Sequence, residues 1–210
     1  MVKILLTPKA AQLTPLEKTQ AQMLFWGWWV LTHTVIVASV TAVAFIAGYT
    51  PSAGVGWIGV GISLSFIEQI VLNRYARLNY WGWATALGWL IGVPVGKVAV
   101  GWQAVGWDLD WALLGLSIGI LQVLALRQQF RRIGWWLLAS STGLVLAGAL
   151  GGSTSLLKDW LTYKGFIHFD ENLARILGLT LAMAVGGAVY GAITGGWLLW
   201  FLRVNQREPQ

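Results

Sequence analysis

Six stretches of roughly membrane-spanning length dominate this chain of 210 residues: Leu24–Tyr49, Ala53–Asn73, Tyr80–Val100, Trp107–Leu126, Gly134–Gly151 and Leu177–Leu202. A hydrocarbon core needs about 20 apolar residues per helix. A water-soluble fold of this size could not hide so much apolar surface, because much of its surface must face water. Only 10% of the residues are charged, against about 25% in a soluble domain. The expected fold is therefore all-α: an integral membrane bundle of six transmembrane helices. The third stretch is interrupted by Pro94 and the fourth opens with Asp108 and Asp110. No cleaved signal peptide is expected, since residues 1–23 are polar and broken by Pro8 and Pro15.

Lysine and arginine orient the bundle. Lys3, Lys9, Lys18, Arg74, Arg77, Arg127, Arg131, Arg132, Arg203 and Arg207 fall on one side, and Lys97, Lys158, Lys164 and Arg175 on the other. The positive-inside rule then puts both termini in the cytoplasm. The net charge of +6 follows from this topology and is no sign of nucleic-acid binding. Three regions are expected: a cytoplasmic tail (1–23), the six-helix domain (24–203) and a short cytoplasmic tail (204–210). An insertion over 153–176 on the opposite side mixes Leu156, Leu157, Trp160 and Leu161 with Lys158 and Asp159, as a short interfacial amphipathic helix would. Asp170 followed by Glu171 suits the N-cap of the last helix.

The chain also repeats itself. Gly27-Trp28-Trp29 recurs as Trp81-Gly82-Trp83 and as Gly134-Trp135-Trp136, which aligns Trp29, Trp83 and Trp136. Gln69 with Asn73-Arg74 matches Gln122 with Leu126-Arg127. The reading is three repeated helical hairpins in parallel orientation. The run GLSIGILQVLALRQQFRRIGWWLLASSTGLVLAG (Gly115–Gly148), and less closely Gly61–Gly96, resembles a group of uncharacterised Gly/Trp-repeat multi-pass proteins of cyanobacteria and Chloroflexi-type bacteria. The resemblance implies a lineage, an architecture and a plasma or thylakoid membrane address, and no catalytic residues. The chain departs from that group at Glu68-Gln69, where an apolar residue usually precedes the Gln.

Few residues can carry chemistry. There is no cysteine, which removes disulfides and thiolate sites. Hydrolase, nucleotide-binding and metalloprotease motifs are absent, so no catalytic residue, metal site or enzymatic activity is expected. Glu68 is the only acid in the interior of an expected span, and a carboxylate there costs about 2.5–3.5 kcal/mol. With Gln69, Gln122 and His33 it forms the candidate intramembrane polar site. His33 could in principle ligate haem iron or a chlorophyll magnesium, although a lone helical His is more often simply hydrogen-bonded. The tryptophans, including Trp29, Trp81, Trp83 and Trp136, read as an interfacial aromatic belt. Gly88, Gly92 and Gly96, and again Gly187, Gly191 and Gly195, form small-residue faces for helix packing or for docking a partner.

Three functional classes stay open. The first is a non-enzymatic accessory, assembly or scaffold subunit whose partners are the bilayer and other membrane proteins. The second is a small transporter or channel with Glu68 in its polar pathway. The third is a component of a photosynthetic assembly that binds chlorophyll, carotenoid or quinone; the sequence by itself implies no cofactor.

Overall fold

The computed structural model describes residues 14–46, 54–75, 78, 80–100, 109–127, 130, 133–163 and 171–206. They are entirely helical apart from short connections. The six helices are α1 (Pro15–Ile46), α2 (Gly54–Tyr75), α3 (Trp81–Val100), α4 (Leu109–Leu126), α5 (Trp135–Tyr163) and α6 (Glu171–Gln206). Four of them, α1, α2, α4 and α6, contain stretches long and apolar enough to cross a membrane. The apolar part of α5, Trp135–Gly151, is shorter. In α3 the tryptophans Trp81, Trp83 and Trp89, four glycines and Lys97 dilute the aliphatic content.

Local chemistry sets the helix boundaries. Thr14 and Glu17 form a capping box at the start of α1, with Pro15 at the first helical position. The Glu17 carboxylate accepts from the Thr14 backbone N–H and hydroxyl, each at 2.8 Å, and the Glu17 N–H donates back to Thr14 Oγ1 at 3.3 Å. The expected tail over 1–23 therefore ends nine residues early in a helix that extends through the first apolar stretch. Pro94 lies within α3, which runs unbroken from Trp81 to Val100. Residues 153–163 are the last turns of α5 and not a separate helix. Residues 164–170, with the expected cap Asp170, lie outside the described residues, as do Trp102, Trp107 and Asp108.

The turn from α2 into α3 holds a residue in the left-handed region. Tyr80 adopts a left-handed φ of 67°, which a side chain other than glycine's rarely takes. Gln69 spans that turn: its amide donates to the Leu78 carbonyl at 3.0 Å and its Oε1 accepts from the Gly82 N–H at 2.8 Å.

Each helix packs against its neighbours in sequence, and α6 closes on α1, giving a ring of six. Glycine makes most of the seams. An added Cβ on Gly88, Gly92 or Gly96 would meet Ile118, Leu114 or Asp110 of α4. One on Gly187, Gly191 or Gly195 would meet His33, Val30 or Trp29 of α1. Gly115 and Gly119 seat α4 on α5, Gly143 and Gly186 join α5 and α6, and Gly61 receives Trp89 across α2–α3. Both glycine ladders are thus consumed by packing inside the chain, and neither is an open docking face. The α1–α2 seam alone has no such glycine among those described.

Two apolar clusters fill the ring. At the end where α1 begins and α6 finishes, Phe25, Leu72, Leu78, Leu126, Phe130, Leu198 and Phe201 pack around Trp29, Trp81 and Trp136. Towards the other end lie Trp89, Val93, Leu114, Ile118, Leu144, Ala147 and Tyr190. The outer surface is apolar too, with Met23, Val43, Phe66, Val98 and Leu181 all more than half exposed. Water would penalise such a surface and lipid would not.

Gly88→Val should destabilise the protein by about 1–3 kcal/mol, because the new side chain collides with the α4 backbone at Ile118. Gly59→Ala, with nothing within 4 Å of the added carbon, should leave stability unchanged or raise it by up to about 1 kcal/mol. Thermal unfolding of both variants in the same detergent checks the contrast.

Candidate functional site

A layer of polar side chains lies between the two apolar clusters. It is assembled from one pattern on the odd-numbered helices: a tryptophan followed four residues later by a polar residue. The pairs are Trp29 and His33 on α1, Trp81 and Thr85 on α3, and Trp136 and Ser140 on α5. A spacing of four places both members on one helix face, and all six are buried. The even-numbered helices contribute Glu68, Gln122 and Thr194, also buried.

The indoles link neighbouring hairpins. Trp81 Nε1 donates to Glu68 Oε2 at 2.8 Å, Trp136 Nε1 to Gln122 Oε1 at 2.5 Å, and Trp29 Nε1 to Thr194 Oγ1 at 3.0 Å. Each bond runs from an odd helix to the even helix before it, and the last joins α1 to α6. The rings meet edge to face, Trp29 on Trp81 at 6.2 Å and Trp81 on Trp136 at 5.2 Å between centroids. A buried indole N–H needs an acceptor, and each of these finds one.

A second set of bonds runs within hairpins. His33 Nε2 lies 2.8 Å from Glu68 Oε1. Gln122 Nε2 donates to Thr85 Oγ1 at 2.7 Å, and Thr85 in turn lies 3.2 Å from Glu68 Oε2. In the third hairpin the pattern breaks: Ser140 Oγ is buried without a hydrogen-bond partner. The Thr194 hydroxyl donates to the Tyr190 carbonyl at 2.7 Å, and the Tyr190 ring packs 5.2 Å from the His33 ring.

Hydrogen-bond bookkeeping constrains the protons. His33 Nδ1 is 2.8 Å from the Trp29 carbonyl, which can only accept, so Nδ1 carries a hydrogen. Nε2 then faces Glu68 Oε1, and one further proton must sit between them. The pair is either imidazolium with carboxylate or neutral imidazole with carboxylic acid; its net charge is zero in both. A neutral imidazole beside an ionised carboxylate would set a lone pair against a negative oxygen. Glu68 Oε2 accepts from Trp81, so the shared proton belongs on the Oε1 side. A single buried carboxylate is expensive, and this one is compensated by donors from two helices, His33 on α1 and Trp81 and Thr85 on α3.

Of the expected site residues, the structure brings together His33, Glu68 and Gln122 through Thr85. Gln69 is elsewhere, on the α2–α3 turn, where it also donates to Asn73 at 2.8 Å. The aromatic-belt expectation is corrected for Trp29, Trp81 and Trp136, which are fully buried because their N–H groups turn inward to acceptors. It suits Trp26, Trp28, Trp83 and Trp135, which are exposed. Trp81 takes the central position beside Trp29 and Trp136, whereas Trp83, which the sequence repeat aligns with them, is 67% exposed. His33 has both ring nitrogens engaged and offers none to a haem or chlorophyll metal. Among the described residues, no three His, Asp or Glu side chains gather as a metal site would require. Sequence reasoning missed Thr85, Ser140 and Tyr190. The signal for the first two was the Trp-x-x-x-polar spacing.

Above the polar layer, towards the far end, lies an apolar cavity of about 30 Å³. Val37, Leu64, Trp89, Leu144 and Tyr190 are among its walls. Below the layer lies the aromatic cluster around Trp29, Trp81 and Trp136. The chain matches no protein-family model, no curated protein and no solved structure.

Glu68→Leu alone strands His33 and the Trp81 N–H in an apolar core and should cost about 3–5 kcal/mol. The double variant Glu68→Leu/His33→Leu should recover part of that loss. A double-mutant cycle of unfolding free energies in detergent measures it; additive losses would show that the two side chains are not coupled.

Proposed function

We propose that the chain is a six-span integral membrane protein, three repeated hairpins closed in a ring with both termini in the cytoplasm, that works as a small proton-linked transporter. The observation that carries this reading is the His33–Glu68 pair, fully buried and in contact at 2.8 Å. An ionisable group at membrane depth is by default a functional feature, because apolar residues of similar volume would pack there at no electrostatic cost. Apolar layers on both sides of the pair are what an occluded state requires. The apolar cavity against Tyr190 is about 30 Å³, the size of a single water-sized body, so the reading rests on the proton pair and names no larger solute. No bond is made or broken on such a substrate, so the reading is non-enzymatic.

An accessory or assembly subunit is the second reading. The glycine ladders no longer support it, since they pack internally. What favours it is an outward groove on α1 between Met23, Leu24, Gly27, Trp28 and Leu31, where Gly27 touches nothing. The pigment-binding reading is the least supported, because His33 is fully engaged.

Reconstitution into liposomes with an entrapped pH dye tests the transport reading. An imposed pH gradient should relax faster than in protein-free vesicles, and Glu68→Gln, which keeps the shape but removes the exchangeable proton, should cut the rate at least about tenfold, a loss equivalent to about 1.4 kcal/mol. Equal rates for wild type and Glu68→Gln would remove Glu68 from any transport role.

A further inference from the structure

We infer that the seam between α1 and α2 is the gate of the bundle, and that the His33–Glu68 hydrogen bond is its latch. The inference rests on the transport reading for its purpose but on separate observations for its location.

The seams of the ring are unequal. Gly187, Gly191 and Gly195 bring α6 against α1, and Trp29, Trp26 and Gln22 add bonds to Thr194, the Ala192 carbonyl and Arg203 across it. Helices α3 and α4 close over three glycines, while α4–α5, α5–α6 and α2–α3 each close over at least two. Among the described residues, the α1–α2 seam has the thinnest packing of the six and no glycine in close approach. Phe25 meets Tyr75 edge to face at its lower end. Above that, the His33–Glu68 hydrogen bond joins the two helices.

The two helices also belong to different packing partners. The upper half of α1 follows α6, with Gly187 under the His33 carbonyl. The upper half of α2 leans the other way: Trp57 meets Trp111 of α4 edge to face at 5.4 Å, and Ile58 packs into the cluster of Trp89 and Leu114. The cavity lies where they diverge, with Val37 on the α1 side and Leu64 on the α2 side. A motion that parts the upper halves of α1 and α6 from those of α2, α3 and α4 breaks the latch, pivots on the Phe25–Tyr75 and Trp29–Trp81 ring contacts below it, and opens the cavity sideways.

The latch depends on the shared proton. With it, Nε2 and Oε1 are joined. Without it, the imidazole lone pair faces a carboxylate, and the bond becomes a repulsion. The released proton passes to water admitted at the cavity. The groups facing the pair from the packed elements are the Trp29 carbonyl on α1, Trp81 and Thr85 on α3, and Tyr190 on α6. None of these carries a charge that would replace the proton.

The chain has no cysteine, so introduced pairs can be spin-labelled without background. Val43→Cys with Ile62→Cys reports across α1–α2, and Leu90→Cys with Leu116→Cys reports across α3–α4; all four sites are exposed. Pulsed dipolar distances are measured in lipid nanodiscs at neutral and alkaline pH. A second, longer α1–α2 population should appear at alkaline pH and in Glu68→Ala at neutral pH, with the α3–α4 distance unchanged. Glu68→Gln can still donate an amide hydrogen to His33 Nε2, and should stay closed at both. A single α1–α2 distance under all these conditions would overturn the gate, even if proton flux were present. A gate that opens as described in a protein without flux would leave the inference standing and remove the transport reading.

Discussion

A carboxyl group enclosed by six helices needs donors from several directions, and Glu68 obtains them from α1 and α3 at once. His33 occupies one oxygen and Trp81 the other, with Thr85 beside it. That requirement fixes more than one residue. It holds α1 at the depth where Nε2 meets Oε1. It turns Trp81 inward, which brings the Trp29 and Trp136 indoles against it at 6.2 and 5.2 Å. It sets Thr85 where Gln122 can reach it, and through Gln122 it positions Trp136. The close glycine seams supply the proximity, and the polar layer supplies the register. Apolar packing alone tolerates sliding by a turn, whereas a buried network loses satisfied donors if it slides.

The layer is nearly but not fully three-fold. Two hairpins each make a bond between the residue four past the tryptophan and the polar residue of the returning helix: His33 with Glu68, and Thr85 with Gln122. In the third, Ser140 makes none, and Thr194 turns to its own helix and to Trp29. Only one of the three positions on the returning helices holds an ionisable group, and it sits at the least tightly packed seam. The one ionisable joint of the layer thus coincides with the seam proposed as the gate.

Much of this was legible in the sequence, for physical reasons that differ by residue. Helical segments announce themselves because apolar length is what lipid demands, and all six stretches lie within or close to observed helices. Glu68, Gln122 and His33 stand out because polar side chains in apolar runs are costly. The tryptophans misled because the same side chain suits an interface and a core, and only the presence of an acceptor across the ring decides which. Trp83 aligned with Trp136 in sequence, yet the left-handed turn at Tyr80 begins α3 early enough to give Trp81 that place. Gln69 aligned with Gln122, but it was taken by the carbonyl and N–H groups of that same turn. The partner of Glu68 could not be read at all, since nothing local indicates that residue 33 faces residue 68. The start of α1 was legible in Thr14-Pro15-Leu16-Glu17, but the surrounding polarity obscured it.

The most direct test of the account is the protonation state of His33. The chain has only two histidines, so nitrogen-15 NMR of the protein in bilayers, compared with His33→Gln for assignment, isolates its ring. The account predicts a hydrogen on Nδ1, together with an Nε2 that is either protonated or a strong hydrogen-bond acceptor, and slow exchange of the ring protons with water. A neutral ring bearing its only hydrogen on Nε2, or one exchanging freely with solvent, would contradict the buried one-proton pair on which the polar layer, the proposed transport and the latch all depend.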